Sequence, residues 1–188
     1  MTSEPRLVNV ANVLTIVRIL LVPVFVAFLL GGGTAGRLAA LVTFCVASLT
    51  DVLDGRLARG RGLVTDFGKI ADPVADKALT GAALICLSAL GELPWWVTGV
   101  IMFRELSVTA LRFWVIRRGV IAASRGGKLK TLLQVIAICL YVLPRTLSPP
   151  GIVRALVMAA AVVVTVVTGV DYVQQAMRLR RSEPAAGG

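Results

Sequence analysis

Two apolar segments flank the stretch that most constrains this chain. Asp51 to Lys77, DVLDGRLARGRGLVTDFGKIADPVADK, holds five of the ten acidic residues. Four of them form the pairs Asp51/Asp54 and Asp72/Asp76, at spacings that share one face of a helix. The apolar part before them, Leu38–Thr50, is too short to cross a bilayer, which takes about 20 residues. The charge-free part after them begins only at Ala78. Both pairs are therefore predicted to ride on membrane helices, on the last turns of one and the first turns of the next. Ionisable groups are costly there and face a cavity or the bundle interior.

Composition agrees. The 188 residues are 57% apolar and 16% charged, with a mean hydropathy of +0.85, where soluble domains run near 45–50% and about 25%. An integral membrane protein follows. The net charge of +10 could suit nucleic acid, but aromatics are only 6% and the basic residues fall at the ends of apolar spans. Positive flanks facing anionic lipid head groups explain it better, so no nucleic-acid partner is expected. Cys45, Cys86 and Cys139 lie inside apolar runs without ligand spacing and read as packing residues. Histidine is absent, so any acid–base chemistry must use carboxylates. The first apolar run is long, contains Arg18 and lacks a small-residue cleavage site, so it does not read as a cleavable signal.

Taken in order, the chain reads as all-α with six transmembrane helices. The first is expected at about 13–30, with Asn12 as a cap, before GGGTAG breaks the chain. The second runs from about Arg37 to Arg59. The third carries Asp72, Asp76 and Lys77 on its first turns and ends at the tight turn Gly91–Pro94. Trp95 and Trp96 suit interfacial anchors. The others are expected at about 94–116, 128–143 and 151–173, with Pro144, Pro149 and Pro150 marking the last turn. Residues 1–177 read as one domain and 178–188 as a basic, disordered tail. Thirteen Lys/Arg fall in segments on one side, against Arg37, Arg145 and Arg154 on the other. Both termini are therefore expected in the cytoplasm, with the protein multi-pass in the cell membrane. Nearly every polar residue within a span lies at its cytoplasmic end, which predicts a polar chamber open to the cytoplasm. A carrier or channel would more naturally place such groups at the midplane or beyond.

Four carboxylates in a low-dielectric chamber repel unless cations neutralise them, and oxygen-only ligands favour Mg²⁺, Mn²⁺ or Ca²⁺. Two such ions side by side fit phosphoryl transfer. Blander readings exist for the parts. Asp72 before Pro73 is an ordinary helix start, and Asp51 and Asp54 could pair with Arg56 and Arg59. Together with Gly55 and Gly68 at fixed spacing, the parts say more. Asp51, Asp54, Gly55, Ala58, Arg59, Gly68, Asp72 and Asp76 match D-x-x-D-G-x-x-A-R-x8-G-x-x-x-D-x-x-x-D. This resembles the signature of the CDP-alcohol phosphotransferase family. The resemblance implies six transmembrane helices, a homodimer, and two divalent ions, Mg²⁺ or Mn²⁺, held by Asp51, Asp54, Asp72 and Asp76. It implies CDP binding at Asp51, Gly55, Ala58, Arg59 and Thr15, with Gly55 allowing close backbone approach. Asp76 is the residue that the family pattern makes the base for the acceptor hydroxyl.

The acceptor must be read from the second half. RELSVTALR (Arg104, Glu105, Arg112) and GGKLKTLLQ (Lys128, Lys130, Thr131, Gln134) offer cations for a second anion, hence a phosphorylated acceptor. Arg104, Arg112, Lys128, Lys130 and Thr131 are the expected phosphate ligands. Arg117 and Arg118 read better as a snorkelling belt. With NVLTIVR (Asn12, Thr15, Arg18), DPVADK and LPWW, these segments resemble the family's glycerol-phosphate branch, the phosphatidylglycerophosphate synthases, over roughly residues 9–145. That implies CDP-diacylglycerol and sn-glycerol 3-phosphate as substrates. Val52, where an aromatic is frequent, and Lys69, where a small residue is common, depart from the pattern. The rivals are a cardiolipin synthase using phosphatidylglycerol, an inositol-phosphate transferase and, in another class, a divalent-cation carrier. The carrier leaves Gly55, Ala58 and Arg59 unexplained. No motif is legible beyond residue 145, and Asp171 has no assigned role.

Overall fold

A computed structural model describes the backbone of residues 10–61, 66–115 and 125–181, and the side chains of 13–50, 74–75, 77–111 and 127–177. Among these, all regular structure is helical: α1 Val10–Gly31, α2 Gly33–Arg61, α3 Asp66–Ala89, α4 Trp95–Val115, α5 Arg125–Val142 and α6 Gly151–Arg181. The six expected helices are all present, with shifted ends. The break expected over GGGTAG narrows to Gly32; it and Gly33, the first residue of α2, have φ +73° and +68°, a backbone region that favours glycine. α6 runs to Arg181, past the expected span end at 173 and past residue 177. Arg6, the loop at 116–124 and the tail beyond Arg181 lie outside the described residues.

The end of α3 shows how local chemistry sets a boundary. Gly91 has φ +71°; its N–H donates to the Ser88 carbonyl at 3.0 Å, and Glu92 N–H to that of Leu87 at 3.0 Å. This is the Schellman pattern, which satisfies the last carbonyls of a helix and reverses the chain. Pro94 then precedes α4, its carbonyl accepting the Val97 N–H at 3.0 Å. Pro150 opens α6 in the same way, accepting from Val153 at 2.9 Å.

By length and composition, Val13–Gly31, Gly33–Thr50 and Gly151–Met177 can each cross a membrane, and Lys77–Ala89 is a shorter apolar helical stretch. Beside an apolar core, large apolar side chains also cover the outside of the helices. On α1, Thr15 and Arg18 are buried while Ile16, Val17, Ile19, Leu20 and Phe28 are exposed. On α4 and α6, Phe103, Leu106, Val163 and Val167 are exposed, while Glu105 and Thr165 are buried. Polar groups inside and large apolar groups outside is the distribution that hydrocarbon, not water, favours. The chain is a membrane protein.

Contacts divide it into two units: residues 1–93 with 138–149, and residues 94–137 with 150–188. In the first, α1 packs along both α2 and α3. Thr15, Arg18, Phe25 and Leu29 form its buried stripe, at the three- and four-residue steps of one helix face. Phe25 meets Phe44 of α2 with ring centroids 5.7 Å apart. A Cβ on Gly36 would lie 2.8 Å from the Phe28 carbonyl oxygen, so any other residue there would push α2 off α1. On the same unit, Arg37 donates to Glu92 Oε2 and to the Tyr141 carbonyl, both at 3.2 Å, and also pairs with Glu92 Oε1. One guanidinium thus ties α2 to the turn after α3 and to the end of α5. Both partners are nearly buried, at 13% and 11% side-chain exposure. Arg37→Ala should therefore cost about 2 kcal/mol, the value of hydrogen bonds to a charged group. A lowered thermal midpoint in detergent would show it; an unchanged midpoint would mean the clamp is idle. In the second unit α4 packs on α6, and α5 is tied to both by polar side chains described below.

Candidate functional site

In the first unit, register places the signature. Ala40, Phe44 and Ala47 are the buried positions among the described side chains of α2. Continuing their four-then-three rhythm along the helix reaches 51, 54 and 58, so Asp51, Asp54 and Ala58 occupy that face of α2, with Gly55 and Arg59 beside it. On α3, Ala75, Leu79, Ala83 and Cys86 are buried. Stepping back from Leu79 by three and four residues reaches Asp76 and Asp72, with Gly68 one turn earlier. The acid pairs thus sit on the continuations of the two faces by which α2 and α3 pack in this unit. The side chains of 51–73 and of 76, like those of Asn12 and Arg112, lie outside the described residues.

The contacts of Gly36 with Phe28 and of Phe44 with Phe25 step in opposite directions along the two helices. α2 is therefore antiparallel to α1, and its acidic end lies at the start of α1. Residues 62–65 alone separate α2 from α3, so the start of α3 joins the same end. Thr15 and Arg18, both essentially fully buried, belong to this end too. Three helix ends bring together Thr15, Arg18 and the four aspartate positions. Among the described side chains no three His, Cys, Asp or Glu groups could hold a metal ion; the aspartates are not among them. Their chemistry fits hard divalent ions: acceptor-only oxygens, two per helix face, from two neighbouring helices.

In the second unit the expected cations separate. Lys130 is buried and pairs with Glu105, itself buried on α4. Arg104 Nη1 donates to Glu105 Oε1 at 3.2 Å, and Nη2 to Thr168 Oγ1 of α6 at 3.0 Å. One turn on from Lys130, Gln134 Nε2 donates to Thr165 Oγ1 at 2.9 Å. Arg104, Glu105, Lys130 and Thr168 are thus one network, with the Gln134–Thr165 pair one turn away. Lys128 and Thr131 stand apart from it. Both are exposed, and the Thr131 hydroxyl donates to the Gly127 carbonyl at 3.2 Å within its own helix. Sequence reasoning missed Thr165, Thr168 and Gly169. The signal was there, polar or small residues at helix spacing inside VVVTVVTGV, but it carries no meaning until their partners on α4 and α5 are known.

The profile of the CDP-alcohol phosphatidyltransferase family matches residues 8–167, nearly the whole helical chain. The chain belongs to this family. Among its relatives is a probable phosphatidylglycerophosphate synthase of Mycobacterium tuberculosis (strain H37Rv), 55% identical over 179 residues, covering 94% of this chain and 85% of that protein. A CDP-diacylglycerol–glycerol-3-phosphate 3-phosphatidyltransferase of Bacillus subtilis (strain 168) is 41% identical over 181 residues, with 87% and 93% covered. The enzyme of that name from Escherichia coli (strain K12) is 38% identical over 136 residues, with 69% and 74% covered. The eight signature positions on α2 and α3 lie within the matched residues. The match extends over the second unit as well, including most of α6.

Proposed function

We propose that this protein transfers the phosphatidyl group of CDP-diacylglycerol to sn-glycerol 3-phosphate, forming phosphatidylglycerophosphate and CMP. The observation that carries the reading is the complete signature, set on the packing faces of α2 and α3 in a family member. The 55% identity to a relative named for this product supports the choice of acceptor.

Asp51, Asp54, Asp72 and Asp76 would hold two divalent ions, Mg²⁺ or Mn²⁺. When bound, such ions neutralise the pyrophosphate and the charge that develops at the reacting phosphorus. Gly55 and Ala58 leave room for the nucleotide beside α2, Arg59 adds a positive charge to it, and Thr15 borders it from α1. Asp76 accepts the proton of the acceptor hydroxyl as the new O–P bond forms at the lipid-side phosphorus and the bond to CMP breaks. A carboxylate is a weak base, so it acts by position within hydrogen-bond reach rather than by a high proton affinity. Arg104 and Lys130 are the cations for the acceptor's phosphate, with Arg112, Lys128 and Thr131 as further candidates. The basic asymmetry supports a cytoplasmic site with both termini in the cytoplasm, all six helices crossing the cell membrane around a polar chamber. Family likeness supports a homodimer.

Purified protein with CDP-diacylglycerol, labelled glycerol 3-phosphate and Mg²⁺ or Mn²⁺ should release CMP and form labelled lipid. Chelation should abolish both, and added Mg²⁺ or Mn²⁺ should restore them. CMP release only with phosphatidylglycerol would make it a cardiolipin synthase. Ion flux in vesicles without CMP release would make it a carrier.

A further inference from the structure

α6 lies outside the signature, yet it grips Arg104 in two ways. Thr168 Oγ1 accepts from Arg104 Nη2 at 3.0 Å while its own hydroxyl is directed at the Val164 carbonyl, 2.7 Å away. The hydroxyl proton is thus spent within α6, and a lone pair is left for the guanidinium. Thr168 is uncharged, so it fixes Arg104 without neutralising it. Gly169 is buried and helical, with no positive φ to explain a glycine. A glycine inside a helix costs about 0.5–1 kcal/mol relative to alanine, so space is its use. A Cβ there would lie 2.9 Å from Arg104 Cγ, 3.4 Å from Nε and 3.8 Å from Cδ. Cγ is near the root of the side chain, so the whole arginine would have to take another rotamer. Nε, covered by α6, has no hydrogen-bond acceptor among the described residues. The terminal nitrogens therefore do the holding, one on Thr168 and one on Glu105. Glu105 in turn carries Lys130. One turn back along α6, Thr165 receives Gln134, the neighbour of Lys130 on α5.

We infer that Thr168 and Gly169 are positioning residues for the acceptor's phosphate, a role that α6 plays through Arg104 and the Glu105–Lys130 pair. This rests on the reading of Arg104 and Lys130 as acceptor ligands. The ligand is a phosphomonoester dianion on a small polyol. Arg104 meets it with an aimed, planar fork, whose geometry is what α6 sets. Disturbing α6 at these positions should weaken acceptor binding and leave the handling of the CDP-linked lipid alone.

The test is steady-state kinetics on full-length protein in mixed micelles, varying each substrate separately. Gly169→Ala is expected to raise the KM for glycerol 3-phosphate roughly tenfold, and Thr168→Val several-fold, the scale of one charge-assisted hydrogen bond. The KM for CDP-diacylglycerol should stay within about twofold. Thr168→Ser, which keeps the hydroxyl, should restore the wild-type value; a purely structural role would not be rescued through one KM alone. In an Arg104→Ala background, Gly169→Ala should add nothing, because the side chain it displaces is gone. If Arg104→Ala raises the acceptor KM while Thr168→Val and Gly169→Ala do not, the positioning role is refuted and the acceptor reading survives. If Arg104→Ala leaves that KM unchanged, the acceptor reading itself fails. Equal rises in both KM values would also overturn the inference.

Discussion

Replacing Asp76 by asparagine is expected to lower turnover by about a thousandfold or more, the upper range for loss of a positioned general base. Asparagine has the same shape and the same place on α3 but no basic oxygen. It also removes one of the four proposed anionic ligands. These two losses act on different steps. If the base dominates, kcat falls while the KM for CDP-diacylglycerol changes little; if the ligand dominates, the concentration of Mg²⁺ or Mn²⁺ needed for half activity rises. Folding should survive in either case. In the proposed site four like charges repel in metal-free buffer, so removing one should hold or raise the thermal midpoint with chelator present. CMP release and thermal unfolding in detergent measure both. A variant with near-wild-type turnover would remove Asp76 from the chemistry.

Glu105→Ala is expected to do the reverse, with stability as the main casualty. Glu105 is buried and pairs with both Lys130 and Arg104 in the second unit. Removing it leaves two cations close together without the carboxylate they share, and breaking a buried pair costs about 3–5 kcal/mol. The thermal midpoint should fall well beyond the effect of Arg37→Ala. Glu105→Gln, which keeps hydrogen-bond acceptance by its amide oxygen, should fall less. A Glu105→Ala protein as stable as wild type would mean that the network is replaceable. The two variants separate a proposed functional acid from one held in a network of charged and polar side chains. In sequence, Asp76 belongs to the signature and Glu105 does not. In the structure, two cations lie against Glu105.

The helices themselves were open to reading, because each apolar run had only one way to satisfy its backbone in lipid. Ends were harder. The GGGTAG segment looked like a loop of six residues, yet only Gly32 leaves the helix; α2 starts at Gly33, and Gly36 fits against Phe28, a contact invisible without α1. On α5 the sequence grouped Lys128, Lys130 and Thr131 by proximity. The fold divides them by face, burying Lys130 with Gln134 and exposing Lys128 and Thr131.

Sequence alone determined that the chain lives in a membrane, that it is helical, and that the aspartates at 51, 54, 72 and 76 are spaced for two helix faces. These are one-dimensional facts: hydropathy, length and a period of 3.6. Only the tertiary structure decided that the Arg37 clamp exists and that α6 holds Arg104. It also decided that Glu105 is shared between Arg104 and Lys130, a pair 25 residues from Glu105 to Lys130. Arg104 and Thr168 are 64 residues apart. Contacts at such separations depend on which helix faces meet, and a face acquires its neighbour only when the helices pack.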